Sequence, residues 1–212
     1  MELKELRRRI YLNYNIFIVW GGVFIKLLLY KLFRKIKKLI RNWEIKQQTK
    51  LYKEAVSLSD GHIGENSKFG YDVRISGLDN LYLGSNVYIG SGSFIRGEGG
   101  LTIKDNTTLS RNIVLYTINH DYEGDLLPYD SNFQEKPVII EENVWIGMNV
   151  TIAPGTYIGE GAIIGIGARV FGDIPKYSII GSNGKKIGER NKEHYIELKE
   201  KEAFSDDDGF PV

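Results

Sequence analysis

Three histidines, His62, His120 and His194, are the side chains of this sequence best suited to moving a proton near neutral pH. There is no cysteine to serve as a thiolate nucleophile or metal ligand. An imidazole can take the proton from a hydroxyl as that oxygen attacks a carbonyl, which transfer of a group to oxygen requires. His62 precedes the first clear part of the pattern described below, and His194 lies in the C-terminal tail. His120 stands where a regular pattern stops and a polar loop, DYEGDLLPYDSNFQEKPV at 121–138, begins. Loops longer than about 12–15 residues inside a compact domain usually have a function. On these residues alone, a general base and a surface histidine that merely hydrogen-bonds the loop base are equally good readings of His120.

The pattern that would position it is a six-residue repeat. Ile140, Ile146, Ile152, Ile158, Ile164 and Val170 follow one another at six-residue steps. The next place is usually small or polar, as at Gly147, Ala153, Gly159 and Gly165, and the fifth place of each hexad is compact or β-branched, from Val144 to Ile174. The same phase returns upstream in triplets: Ile63, Phe69, Ile75; Leu83, Ile89, Ile95; Ile103, Leu109, Leu115. From one triplet to the next the step is eight residues, so each coil has three sides and one longer corner. Short strands pointing one aliphatic side chain inward, with Gly, Asn or Asp at the bends, stack into a column that no single coil could bury. An amphipathic helix would need 3.6-residue spacing. The prediction is an all-β parallel β-helix of about five coils over residues 57–188, with an N-terminal helical segment at 1–56 and a short tail at 189–212. Spacing does not determine its hand.

The N-terminal segment has a different character. Residues 10–33 are largely apolar but are interrupted by Asn13, Asn15, Lys26 and Gly21-Gly22, which makes them marginal as a membrane span. Lys31, Arg34, Lys35, Lys37, Lys38 and Arg41 follow, a cluster that an anionic leaflet attracts and that the positive-inside rule keeps cytoplasmic. Two readings stay open: attachment of residues 10–41 to a membrane surface, and an amphipathic cap on the open end of the β-helix. The stretch does not read as a secretory signal, since no A-x-A-like site follows it. The net charge of +1 hides a basic N-terminus and an acidic run at Asp206, Asp207 and Asp208. That balance argues against a nucleic-acid binder.

Several segments together carry a family resemblance: Tyr116-Thr117-Ile118-Asn119-His120-Asp121, Val144-Trp145-Ile146-Gly147, Ile152-Ala153-Pro154-Gly155, Ile158-Gly159 through Gly167, Ile174-Pro175, and Gly181 followed by Lys185. Across residues 63–190 the sequence is similar to the hexapeptide-repeat acetyltransferases that acetylate galactosides, maltose, nodulation factors and capsular sugars. The resemblance implies a left-handed coil and an acetyl-CoA-dependent O-acetyltransferase in which His120 activates a sugar hydroxyl for direct attack. It implies no metal, and homotrimers with sites between neighbouring subunits, His120 and part of the CoA site coming from different chains. The CoA arm would pass Trp145, Gly147, Met148, Gly165 and Gly167, with its phosphates near Lys185 and Lys186. An oxyanion would require a donor such as a backbone N–H near Trp145 to Met148. The acceptor expected is a glycan, such as a capsular or exopolysaccharide precursor, handled in the cytoplasm or at the inner face of the membrane. Asp121, Glu123, Asp125, Tyr129 and Asp130 are polar loop residues that could contact it.

The sequence also departs from the family. Its closing motif reads Gly181-Ser182-Asn183-Gly184-Lys185 without the usual proline, Phe171-Gly172 replaces Thr-Lys, and Arg96-Gly97-Glu98 stands where galactoside-type members carry acceptor-binding asparagines. A zinc-dependent carbonic anhydrase on the same scaffold would need three histidines, and only His120 lies in the coils after the first. A non-catalytic β-helical scaffold or carbohydrate-binding trimer is the alternative outside enzymology.

Overall fold

The computed structural model describes residues 3–205, with side chains from residue 27 onward. The acidic run Asp206 to Asp208 and the side chains of residues 10–26 lie outside the described residues. The chain divides into two compact units, Met1–Trp43 and Glu44–Val212. A long helix, α1 (Leu3–Val56), supplies the first unit and opens the second. Among the described residues no helix is long and apolar enough to cross a membrane.

The second unit is a parallel β-helix. Its first three rungs are β1 (His62–Ile63), β2 (Lys68–Phe69), β3 (Arg74–Ser76); β4 (Leu81–Leu83), β5 (Tyr88–Ile89), β6 (Phe94–Arg96); and β7 (Leu101–Ile103), β8 (Thr108–Leu109), β9 (Val114–Tyr116). A hairpin, β10 (Ile118–His120) and β11 (Phe133–Glu135), then leaves the coil. The rungs resume with β12 (Val138–Ile140), β13 (Trp145–Ile146), β14 (Thr151–Ile152); β15 (Tyr157–Ile158), β16 (Ile163–Ile164), β17 (Arg169–Val170); and β18 (Asp173–Ile174), β19 (Ser178–Ile180). An antiparallel strand, β20 (Lys186–Glu189), pairs with β19, and α2 (Lys192–Glu200) follows.

Equivalent strands of successive rungs pair in parallel and make three faces. The first face holds β1, β4, β7, β12, β15 and β18; the second runs from β2 through β19 to β20; the third runs from β3 to β17. The first two faces therefore carry six rungs, not the five coils predicted from spacing. The sixth escapes the hexad count because the turn after Val170 is short: Ile174, four residues on, pairs with Ile158. Ile174 is thus the inward residue of a new rung rather than the fifth place of the last hexad.

The periodic aliphatics form the core. Leu83, Ile89, Leu109, Leu115, Ile140, Ile146, Ile158 and Ile164 are fully buried, and each such side chain stabilises the fold by roughly 1.5–3 kcal/mol. Bends occur where the backbone turns left-handed. Asn66, Asn86, Asn106 and Asn143 take φ of 55–58° at one corner, and Asp72, Asn112 and Asn149 take 53–58° at the next, conformations that Asn and Asp tolerate through local hydrogen bonding. Successive asparagines also bond along the axis: Asn86 Nδ2 donates to Asn106 Oδ1 at 3.0 Å, and Asn112 Nδ2 to Asn149 Oδ1 at 3.1 Å.

The open edge of the first rung is covered by residues 45–56 of α1. Ile45 and Val56 are buried, and the Tyr52 ring lies 4.7 Å from that of Phe69. The Tyr52 hydroxyl donates to Val73 O at 2.9 Å and accepts from Ile75 N at 2.9 Å, Gln48 Nε2 donates to Val73 O at 2.7 Å, and Phe69 N donates to Thr49 Oγ1 at 3.1 Å. These bonds satisfy backbone groups that an uncovered edge would leave to solvent or to aggregation.

Candidate active site

The hairpin carrying His120 leaves the corner between the third and first faces, where the two earlier rungs have their small extensions. Its base is set by Thr117, which is fully buried. The Thr117 hydroxyl donates to Arg96 O at 2.8 Å and accepts from Gly99 N at 2.8 Å, and Lys136 N donates to Thr117 O at 2.8 Å. Gly99 has to be glycine here, because a Cβ would lie 2.3 Å from Thr117 O. The loop expected over 121–138 thus forms the tip and second strand of a hairpin, with Asn119 opposite Gln134 and His120 opposite Phe133. Asp121 ties the turn, accepting from Glu123 N at 3.2 Å and Gln134 Nε2 at 3.0 Å, while Asp130 Oδ1 accepts from Asn132 N at 2.7 Å. Two of the carboxylates proposed as acceptor contacts therefore hold the loop together; Glu123 and Asp125 remain exposed.

His120 is half-buried between two rings. Tyr129 stacks on it at 3.9 Å between centroids and 21° between planes, and Phe133 lies at 4.7 Å and 38°. Nδ1 is buried and makes no hydrogen bond within the chain. Packing, not a carboxylate partner, orients the imidazole, and leaving such an atom unpaired costs about 1–3 kcal/mol. A cluster that spacing did not single out as functional borders the hairpin. The Arg96 guanidinium lies 6.0 Å from the Phe133 centroid, and Arg96 Nε donates to Glu98 Oε1 at 2.7 Å, which also accepts from Ser76 Oγ at 2.9 Å. Glu98 Oε2 is buried without a partner. Burial pushes the Glu98 carboxyl up, but bonds from its own backbone, Ser76 and Arg96 outweigh it and hold the group below the ordinary carboxylate value.

The candidate cofactor residues occupy another part of the chain. Trp145 is 52% exposed on the second face, and Gly147, Met148, Gly165 and Gly167 form the corner between the second and third faces. Gly147 and Gly165 are required by stacking, since a Cβ at either would lie 2.7 Å from backbone of the next coil. Gly167 has φ +70° and open space beyond it. Trp145 N and Gly147 N, two of the amides in the stretch expected to supply an oxyanion donor, already donate to Ala162 O at 3.0 Å and Ile164 O at 2.8 Å. Lys185 sits in the turn before β20, and Lys186 is paired with Glu189, whose carboxyl its neighbours Lys186 and Lys192 hold down to about 2. One chain therefore does not bring His120 and these residues to a common corner. Among the described residues no group of three or more His, Asp or Glu could hold a metal.

The segment expected as a plain tail packs against the β-helix. Tyr195 of α2 is buried, 4.9 Å from the Tyr177 ring; its hydroxyl accepts from Asn143 Nδ2 at 2.8 Å and donates to Glu160 Oε1 at 3.0 Å. Arg190 Nε donates to Gly161 O at 2.7 Å. Between α2 and the second face lies a cleft of about 470 Å³, lined by Thr108, Asn143, Trp145, Arg190, Tyr195 and Phe204 among others.

The family described as bacterial transferase hexapeptide (six repeats) matches residues 137–172. The galactoside O-acetyltransferase of Escherichia coli is 29% identical over 157 residues, covering 72% of this chain and 75% of that protein. The putative lipopolysaccharide biosynthesis O-acetyl transferase WbbJ of the same organism is 29% identical over 141 residues, 61% of this chain and 72% of that one. A solved galactoside acetyltransferase in complex with coenzyme A superposes with a TM-score of 0.50 at 27% identity, covering 65% of this chain and 66% of that one.

Proposed function

We propose that this hexapeptide-repeat acyltransferase moves an acetyl group from acetyl-CoA to a sugar hydroxyl in capsular or exopolysaccharide biosynthesis, with His120 as the general base. The observation that carries the reading is the imidazole held between Tyr129 and Phe133 at the base of the hairpin that interrupts the regular coil. A ring fixed by packing can meet an incoming hydroxyl without reorienting, and positioned acid–base groups contribute about 10²–10⁴-fold to rate. Acetyl-CoA supplies an activated thioester. His120 takes the proton of the acceptor hydroxyl as that oxygen attacks, and the departing thiolate recovers it.

The half-exposed Trp145, the adjoining cleft and the open space beyond Gly167 suit an extended thioester arm. Because His120 and these residues occupy different corners of one chain, the complete site would form between neighbouring copies, as a homotrimer provides. The acceptor would be a glycan handled on the cytoplasmic side, with residues 10–41 holding the enzyme at the inner face of the membrane.

The test is acetyl-CoA turnover, followed as free thiol, with a panel of sugar acceptors. His120→Ala should reduce acceptor-dependent release by about 100-fold or more while CoA binding is retained. A parent protein that binds no CoA would point instead to a carbohydrate-binding or scaffold role.

A further inference from the structure

We infer that residues 28–43 of α1 form an in-plane amphipathic helix that docks on an anionic lipid surface. At 3.6 residues per turn, Leu29, Leu32, Ile36, Leu39, Ile40 and Trp43 fall within an arc of about 100°. Lys31, Arg34, Lys35, Lys37, Lys38 and Arg41 lie in a separate arc of about 160° that also holds Tyr30 and Asn42, with Leu28 and Phe33 at the two boundaries. Every one of the six apolar side chains is 45–62% exposed. Lys37 Nζ lies over the Phe33 ring, 4.8 Å from its centroid, at the boundary between the arcs.

The occupant of the stripe must tolerate six cations with no acidic residue between 6 and 43. A second copy of residues 28–43 would bring like charges together, since that segment has no acidic residue to pair them. An anionic leaflet meets both arcs at once: apolar side chains sink to the acyl boundary while the lysine ammonium groups and the Arg34 guanidinium reach phosphates. Six charges in so short a stretch exclude a span, in line with the absence of a membrane-crossing helix among the described residues.

The inference rests on the membrane-side placement proposed above and gives it a lipid class and a mode. It is tested with the full-length chain and two sets of vesicles, phosphatidylcholine alone and phosphatidylcholine with roughly a third phosphatidylglycerol. Binding to the anionic vesicles should exceed that to the neutral ones by at least about tenfold and fall with added salt. Both the Leu32→Asn, Ile36→Asn pair and the Lys35→Gln, Lys38→Gln pair should lower it by about tenfold or more, with the melting temperature of the β-helix unchanged. Absence of binding, equal binding to both vesicle types, or a change in oligomeric mass without a change in vesicle binding would each overturn it. Thiol release is scored separately on the same proteins. Vesicle binding without acetyl transfer would sink only the acyl-transfer reading, and transfer without vesicle binding only this one.

Discussion

His120 owes its orientation to two ring contacts and its exposure to the hairpin that lifts it off the coil. The cationic candidates at the far end show how neighbours decide which residue is free to act. Lys186 and Lys192 share the Glu189 carboxylate, whereas Lys185 occupies the turn where Asn183 Oδ1 accepts from its backbone N–H at 3.1 Å. A lysine already paired gains little from a phosphate, because it must give up its first partner. Lys185→Ala should therefore raise KM for acetyl-CoA by about tenfold with kcat little changed, and Lys186→Ala by less than about twofold; steady-state kinetics against acetyl-CoA would separate them.

Among the elements, α2 is held to the β-helix chiefly by polar contacts around one carboxylate. Burial pushes the Glu160 carboxyl up, but bonds from Lys199 and Tyr195 outweigh it and leave the group below its ordinary value. Burial also pushes the Tyr195 hydroxyl up to about 12, so it remains a donor. A carboxylate depressed in the folded state stabilises it fully above the unfolded value, and that contribution is lost as pH falls through the folded value. Thermal melts should thus show the parent losing more stability than Glu160→Gln as pH drops from the ordinary carboxylate range downward. At neutral pH the substitution should lower the melting temperature by no more than about 4 °C, since partly exposed pairs contribute about 1 kcal/mol or less. Identical pH slopes for the two proteins would show that this carboxylate does not secure α2.

For the whole molecule, the decisive fact is that the hairpin and the Trp145 side stand at different corners. If a site draws its base from one copy and its CoA contacts from the next, two crippled proteins can repair one another. Mixing equal amounts of unfolded His120→Ala and Trp145→Ala and refolding them together should restore about a quarter of parental activity, because a quarter of interfaces then pair two intact halves. Sites contained within one chain would recover nothing.

The sequence by itself determined the coil, its three sides, its corners and the position of the candidate base. Inward aliphatics and left-handed Asn or Gly bends are demands each hexad makes locally, so they repeat visibly along the chain. The break after Leu115 marked His120 for the same reason. The tertiary structure decided what depends on residues distant in sequence or on irregular steps. The four-residue return to Ile174 made a sixth rung, Tyr129 and Phe133 closed on His120, Glu189 paired with Lys186, Tyr52 fixed residues 45–56 over the first rung, and Tyr195 docked α2. None of these contacts has a period, since each forms only after the coil has placed its partners side by side.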